Sequence, residues 1–338
     1  MLTEEHRTGE EEERLLASLT CRDRDAARDA ALRVLALAAG VTVLVVLGLI
    51  VVSTTSDAWP AIRQAGGKFI TSDQWIPNDP DGDGPLAPQF GALAFVYGTA
   101  VVSTIAVLLS VPVSVGIAAF VSDVATPRVR GLVVTFIDLL AAIPSVVFGL
   151  WGIAVLAPNI VGLYDRVHRI VAPVPVLENI FGPGANGRSL MTAGIILAVM
   201  IIPIVTSITR EVFATVPQAE RHGALALGAT RWEMVRGVVF PHSFGGMVGA
   251  VMLGLGRAMG ETIAVALTIG ASAQITSNLF KPGDAMPAVI VNQFGEASGT
   301  FRSALIALGV VLFAMTIVIN VAARWIVRRA EVHLRGAV

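Results

Sequence analysis

The stretch ATVPQAERHGALALGATRWEMVRGVVFPHS (residues 214–243) predicts a helix, a glycine turn and a second helix. Pro217 suits the first turn of the first helix, and Gly228 can end that helix with a positive φ angle. Thr230 and Glu233 have the spacing of a capping box, and a proline limits the second helix. The segment is therefore either an ordinary interfacial connector or a docking surface for another protein.

The composition on both sides of this stretch is that of a membrane protein. Of the 338 residues, 54% are hydrophobic and only 14% are charged, and the mean hydropathy is +0.74. Soluble domains have about 25% charged residues, so we expect an integral membrane protein in contact with membrane lipid. The formal net charge of −1 gives no reason to expect a nucleic-acid partner.

Six segments are apolar enough to cross a hydrocarbon layer of about 30 Å, which takes about 20 helical residues. They are residues 32–53, 92–121, 131–157, 190–209, 245–272 and 303–327. Pro144, within the third segment, is a predicted kink site. The predicted organisation is all-α, with a membrane domain over 32–328, charged tails at 1–31 and 329–338, an outer loop at 54–90 and a cytoplasmic loop at 210–244.

The basic residues indicate the orientation of these spans. With the N-terminus in the cytoplasm, seven of the 24 Lys and Arg residues lie outside, and sixteen lie on the cytoplasmic side or, as Arg33 and Arg324 do, at the cytoplasmic end of a span. The remaining one is Arg257, which falls inside a span. Because cytoplasmic loops carry the excess of basic residues, both termini are predicted to be cytoplasmic.

The stretch GLGRAMGETIAVALTIG (254–270) places Arg257 and Glu261 within the fifth predicted span. Each charge would cost about 2.5–3.5 kcal/mol at the centre of a spanning helix. Four residues apart on a helix, they share a face and can pair, and Gly256 and Gly260 allow another helix to approach. The pair is either structural or a site where the guanidinium receives a tetrahedral oxyanion while Glu261 neutralises it in the absence of substrate.

The chain has no recognisable source of chemical energy of its own. Its two lysines, Lys68 and Lys281, do not lie in a P-loop pattern, and its five histidines have no zinc-ligand spacing. We therefore predict neither an enzyme nor a resident cofactor or metal in this chain, so uphill transport would need a partner or an ion gradient. The outer stretch NDPDGDGP (78–85) opens like an EF-hand loop but has Phe90 at position twelve, which favours a turn-rich loop that meets a binding protein over a calcium site.

The segment quoted first resembles the EAA loop of ABC importer permeases. The family pattern E-A-A-x3-G-x9-I-x-L-P is matched at Ala224, Gly228, Val238, Phe240 and Pro241. His222 and Gly223 stand where the family has Glu and the first Ala, which puts the contact of the family's carboxylate in doubt. The resemblance implies that the loop seats in a cleft of an ATPase subunit through His222, Gly223, Ala224, Gly228 and Pro241.

Three further stretches resemble the PstC family of phosphate permeases. They are DLLAAIPSVVFGLWGIAVLAP (138–158), GLGRAMGETIAV (254–265) and VIVNQFGEA (289–297). The resemblance implies the type I ABC importer permease (MetI-like) fold and ATP-driven import of inorganic phosphate across the bacterial inner membrane. The implied partners are a PstA-like sister permease, a dimer of PstB-like ATPase subunits that binds ATP–Mg, and a PstS-like phosphate-binding protein outside the cell.

The resemblance also implies roles for three charged residues. Arg257 and Glu261 match residues of the phosphate path, and Asp138 matches more weakly because the family has Glu there. Asp138 is either a second pathway carboxylate or an interfacial residue. The alternatives are a permease for molybdate, sulfate or phosphonate, a gradient-driven carrier, for which we see no inverted repeats, or a membrane-embedded enzyme.

Overall fold

The computed structural model describes residues 2–77, 89–184 and 186–335, which form helices with short connections. The chain divides into two compact units, Met1–Ser56 and Asp57–Val338. The first unit is a stretch of one long helix, and the second contains the rest of the described structure. The turn-rich stretch 78–85 lies outside the described residues.

The helices are α1 (Leu2–Ala65), α2 (Lys68–Thr71), α3 (Leu93–Ala119), α4 (Pro127–Ala142), α5 (Ser145–Trp151), α6 (Ala157–Val171), α7 (Pro175–Ile180), α8 (Leu190–Ala214), α9 (Gln218–Ala226), α10 (Arg231–Met234), α11 (Phe240–Gly260), α12 (Ile263–Thr268), α13 (Met286–Gln293) and α14 (Gly299–Arg335). In the described part of the chain, three π-helical turns continue α3, α5 and α10, at Phe120–Val124, Gly152–Leu156 and Val235–Val239. Two short strands, β1 (Trp75–Ile76) and β2 (Gln89–Phe90), pair antiparallel with Trp75 opposite Phe90.

Six helical segments of the described chain are long and apolar enough to cross a membrane. They are Arg28–Ala65, Leu93–Val124, Ser145–Val171, Leu190–Ala214, Arg231–Gly260 and Gly299–Trp325. The predicted all-α architecture with six spans is therefore confirmed by length and composition. The third and fifth spans, however, have different ends from those predicted.

The third span begins after Pro144 instead of being kinked there. Helix α4 ends at Ala142, and Ile143 and Pro144 are extended, with ψ angles of 126° and 141°. The ring of a proline disfavours helical geometry at the preceding residue, so Ile143 leaves the helix. The predicted segment 131–157 is consequently divided between α4 and a separate span, and Asp138 belongs to α4.

The fifth span begins earlier and ends earlier than predicted. Helix α10, a π-helical turn and α11 follow one another without a break, so Pro241 does not limit the second helix of the coupling region. The π-helical turn at Val235–Val239 ends two positions before this proline and shifts the backbone hydrogen bonds where the missing N–H would otherwise interrupt them. At the other end, Glu261 is extended with ψ of 125°, which ends α11 at Gly260.

The main core lies among α3, α5, α8 and α12, whose buried apolar side chains form one cluster. A close approach at Gly98 fixes the position of the chain after α12, because a Cβ atom there would lie 1.8 Å from the backbone oxygen of Asp284. Helix α11, whose last turn carries Arg257, packs against α8 and α14.

Candidate substrate groove and coupling surface

A groove of about 870 Å³ lies along α11 and α14, with Ile208 of α8 in its wall. Most of its lining is apolar or glycine. The α11 wall contains four residues without a side chain, Gly245, Gly246, Gly249 and Gly256. Because these positions contribute no side-chain volume, the groove leaves room for a polar ligand or a partner helix.

Arg257 lies in the last turn of α11 and lines this groove. Its side chain is exposed, and among the described residues it has no ion-pair partner within 4.0 Å. Asn320 and Arg324 of α14 are the other polar residues in the lining. The groove therefore presents two guanidinium groups on a surface that is otherwise apolar.

Glu261 does not pair with Arg257. It is only 8% exposed, and its Oε1 accepts a weak hydrogen bond from the backbone N–H of Ala264 at 3.5 Å, in the first turn of α12. The predicted pairing assumed a continuous helix from 257 to 261, and that geometry is lost because the backbone is extended at Glu261. The two residues remain close in sequence, one facing the groove and the other buried behind the end of the helix.

Asp138 lies in a different place from Arg257. It lines a small cavity of about 10 Å³ together with Thr206, Ser207 and Arg210 of α8, and this cavity shares no lining residue with the groove. The volume is that of about one water molecule. The Thr206 hydroxyl is buried without a partner in this cavity, and no ion pair between Asp138 and Arg210 forms within 4.0 Å. The structure therefore does not bring the three predicted pathway residues together.

The coupling segment, which comprises α9, the turn at Gly228 and α10, has the predicted local structure. Gly228 has φ of +90°, and the capping box of α10 is present: the Thr230 hydroxyl accepts from the Glu233 N–H at 3.3 Å, and the Glu233 carboxylate accepts from the Thr230 N–H at 2.8 Å. His222 and Gly223 are exposed on α9, and Ala224 is half-buried.

The tip of the coupling segment exposes apolar side chains. Leu227 is 91% exposed beside the Gly228 turn, and Leu225 and Trp232 are exposed on either side of it. A cluster of exposed large apolar residues marks a surface that contacts either another protein or the membrane. Glu220, which is near the position of the family's Glu, lies 3.5 Å from Nδ1 of His242 on α11 and is therefore directed toward the spans.

A buried ion pair fixes the coupling segment to α3, and it was not predicted. Arg221 of α9 pairs with Asp123 of the π-helical turn that ends α3, and their side chains are only 8% and 3% exposed. Arg221 also donates to the backbone oxygen of Phe213. Arg130 and Arg231 donate to backbone oxygens of the same turn, from Val121 to Asp123. The partners of the pair are 98 residues apart, so no local sequence signal indicates it.

Comparison with known proteins decides the family. The family model described as "Binding-protein-dependent transport system inner membrane component" matches residues 110–332. The chain is 39% identical to the phosphate transport system permease protein PstC of Mesorhizobium japonicum, over 91% of this chain and 92% of that protein. It is 37% identical to PstC of Haemophilus influenzae over 86% and 90%, and 40% identical to PstC 1 of Mycobacterium tuberculosis over 81% and 86%.

The chain belongs to the PstC permease family. Its fold is that of type I ABC importer permeases: it matches a chain of the bacterial alginate ABC transporter solved in complex with an alginate-bound periplasmic protein, with a TM-score of 0.55 and 16% identity over 91% of this chain and 97% of that chain. PstC proteins are transport permease subunits and not enzymes. Among the described residues, no group of three His, Cys, Asp or Glu side chains is placed to hold a metal ion.

Proposed function

We propose that this chain is the permease subunit of an ATP-driven inorganic phosphate importer and that phosphate passes along the groove between α11 and α14. The names of its relatives support phosphate as the substrate. The observation that carries the site assignment is Arg257, an exposed guanidinium that lines the 870 Å³ groove without an ion-pair partner among the described residues.

The chemistry of Arg257 suits this substrate. A guanidinium group presents a planar set of N–H donors that match two oxygens of a tetrahedral oxyanion, and its charge does not depend on pH in the physiological range. Once the sister permease covers this groove, which is lined mainly by glycine and apolar side chains, a charge-assisted hydrogen bond gains strength because little water competes with it. The hydrogen bonds from Arg257 therefore replace part of the hydration that an anion loses when it enters the groove.

Glu261 affects the phosphate path indirectly, through the backbone conformation between α11 and α12. Its side chain reaches the first turn of α12, beside the break that ends α11 after Arg257. We assign Glu261 the role of stabilising the extended backbone at residue 261. This backbone ends α11 and so keeps the Arg257 guanidinium in the last turn of the helix. Asp138 contributes a charge opposite Arg210 between α4 and α8, away from the groove.

The same proposal assigns roles to the other subunits of the importer. A PstA-like permease forms the other side of the path, PstB-like ATPase subunits hold the ATP–Mg that this chain does not bind, and a PstS-like protein delivers phosphate from outside the cell. The exposed apolar tip at Leu225, Leu227 and Trp232 supports docking of the ATPase on the coupling segment. The description of the matching family and the names of the bacterial relatives support a bacterial inner-membrane location. The distribution of basic residues supports an orientation with both termini in the cytoplasm.

The test reconstitutes the full complex in liposomes and measures uptake of radiolabelled phosphate. We expect Arg257→Ala to reduce uptake about 100-fold, the upper range for loss of a charged hydrogen-bonding group. We expect Glu261→Ala, which removes the acceptor of the Ala264 N–H, to abolish most of the uptake while the complex still assembles. The matched control is Arg302→Ala, because Arg302 lies over the Phe294 ring at 5.2 Å and does not line the groove. Normal uptake by the Arg257→Ala complex would refute the site assignment.

Competition experiments in the same liposomes test the substrate. We expect excess molybdate, sulfate and phosphonate to leave phosphate uptake nearly unchanged. Transport of one of these anions at the rate of phosphate would instead assign the chain to a permease for that oxyanion. Uptake without the ATPase subunits would show a gradient-driven carrier and overturn the proposal as a whole.

A further inference from the structure

Arg324 of α14 lines the same groove as Arg257 of α11. Its side chain is exposed, and it forms no ion pair or hydrogen bond with another described residue. Two positive charges that face one cavity repel each other unless an anion lies close to them. Arg324 is thus a second cation in the groove that the proposed role of Arg257 does not use.

The order of these residues along the groove follows from the directions of the helices. Helices α11 and α14 are consecutive spans and run in opposite directions, so the Arg257 end of the α11 wall faces the Asn320 end of the α14 wall. Arg324 lies one helical turn, about 6 Å, beyond Asn320 toward the Gly245 end. That end of α11 is continuous with the coupling segment.

We propose that Arg324 and Asn320 form a second binding station for a phosphate-class oxyanion, between Arg257 and the coupling end of the groove. This inference rests on the proposed function, because it extends the path that begins at Arg257. An anion that leaves Arg257 would otherwise cross a stretch lined by glycine and apolar side chains. A second site of modest affinity lowers this barrier, as in other ion paths where several weak sites permit both entry and release.

Asn320 gives the station a means of recognising a protonated anion. Its Nδ2 donates to the backbone oxygen of Thr316 at 2.9 Å, which leaves its Oδ1 as an acceptor. The P–OH group of a monoprotonated phosphate can donate to this oxygen while the Arg324 guanidinium binds the unprotonated oxygens. Sulfate at neutral pH has no such proton to donate.

The first experiment measures phosphate uptake by the full complex in liposomes that carry the variant Arg324→Ala, Arg324→Lys or Arg329→Ala. We expect Arg324→Ala to lower kcat about tenfold while the half-saturating concentration of loaded binding protein stays the same, and Arg324→Lys to restore part of the rate. Arg329 is the control, because it lies on the same helix over the Trp325 ring and is not part of the groove lining. An equal effect of Arg324→Ala and Arg329→Ala would overturn the proposal.

The second experiment detects binding without transport. In a Cys21→Ser background, the variant Ala323→Cys places a thiol in the groove lining beside Arg324. We expect inorganic phosphate to slow modification of this thiol by a charged reagent in the purified complex, and sulfate to protect it less. The protection should disappear when Arg324→Ala is added, and protection that persists would overturn the assignment of Arg324.

One further comparison distinguishes free phosphate from a lipid headgroup as the bound anion. Another distinguishes failure of the second station from failure of the proposed function. The transport defect of Arg324→Ala should be the same in vesicles of neutral and of anionic lipids, whereas a defect only in anionic vesicles would identify a lipid headgroup and overturn the proposal. If Arg257→Ala abolishes uptake and Arg324→Ala does not alter it, only the second station fails. If the unaltered complex does not transport phosphate, the proposed function itself fails.

Discussion

Arginines at the coupling segment and in the groove are in opposite environments. Arg221 is buried and paired with Asp123, and it connects α9 to the end of α3. Arg257 and Arg324 are exposed in the groove and have no ion-pair partner among the described residues. A charge paired within the chain holds two elements together, whereas a charge without an internal partner remains available to a ligand.

The difference also suggests how the two regions cooperate. The coupling segment is continuous with α11 through α10 and its π-helical turn, and the Asp123–Arg221 pair joins it to α3. If the proposed ATPase docks on the segment and displaces it, the displacement would therefore act on two spans at once. One of these spans carries Arg257 at its far end.

The largest expected effect is on stability and concerns Arg221. We expect Arg221→Ala to lower the free energy of unfolding by about 3–5 kcal/mol, because it leaves the buried Asp123 carboxylate without its partner. Thermal unfolding in detergent measures this change, with Arg257→Ala as the control that should melt within a few degrees of the unaltered protein. A melting temperature unchanged by Arg221→Ala would contradict the contrast between the two regions.

A double replacement sharpens this test. Asp123→Leu combined with Arg221→Met removes both charges and retains apolar volume. We expect it to regain much of the stability lost by Arg221→Ala, since a buried ion pair often contributes little net stability compared with well-packed apolar residues. A double variant as unstable as the single one would show that the hydrogen bond from Arg221 to Phe213 matters more than the charge pair.

The second prediction concerns a buried carboxyl group that has no basic partner among the described residues. Asp284, in the connection between α12 and α13, is 4% exposed, and burial raises its pKa to about 6, although its own carboxylate accepts from the Ala285 N–H at 2.8 Å. Because the folded-state pKa lies above the unfolded value of 3.8, the protonated group stabilises the fold at pH below about 4.

This contribution is lost as the pH rises through about 6, and it amounts to roughly 3 kcal/mol at about 1.4 kcal/mol per pKa unit. The variant Asp284→Asn keeps an acceptor oxygen but cannot ionise. We expect its unfolding free energy to change less than that of the unaltered protein between pH 4 and pH 7, as measured by thermal unfolding at each pH. Identical pH profiles would show that Asp284 does not titrate in the folded state.

The smallest expected effect on stability concerns the turn of the coupling segment. Gly228 has φ of +90°, so Gly228→Ala should cost about 1–2 kcal/mol and alter the turn that exposes Leu227. We expect the complex to assemble but the stimulation of its ATPase activity by the loaded binding protein to fall several-fold. Gly309→Ala is the control, because a Cβ there meets no atom within 4 Å. Full stimulation in the Gly228→Ala complex would argue against coupling through this turn.

The features that could be predicted from the sequence are those encoded by neighbouring residues. The number of spans follows from hydrophobic length, and the turn at Gly228 and the capping box at Thr230 follow from residue types at fixed spacing. The features that could not be predicted depend on how the helices pack. The sequence 257–261 is compatible with a continuous helix, but the backbone leaves the helix at Glu261 where α12 turns into the core.

The amino-acid sequence by itself determined the class of the protein, its six apolar segments and the placement of Arg257 within one of them, because these depend on composition and on contacts between near neighbours. Only the tertiary structure decided which charges have partners. Whether a charged group is buried against an opposite charge, as Asp123 is, or faces a groove, as Arg257 does, depends on residues far away in the chain. The free energy of burying or exposing a charge is set by that packing and not by the local sequence.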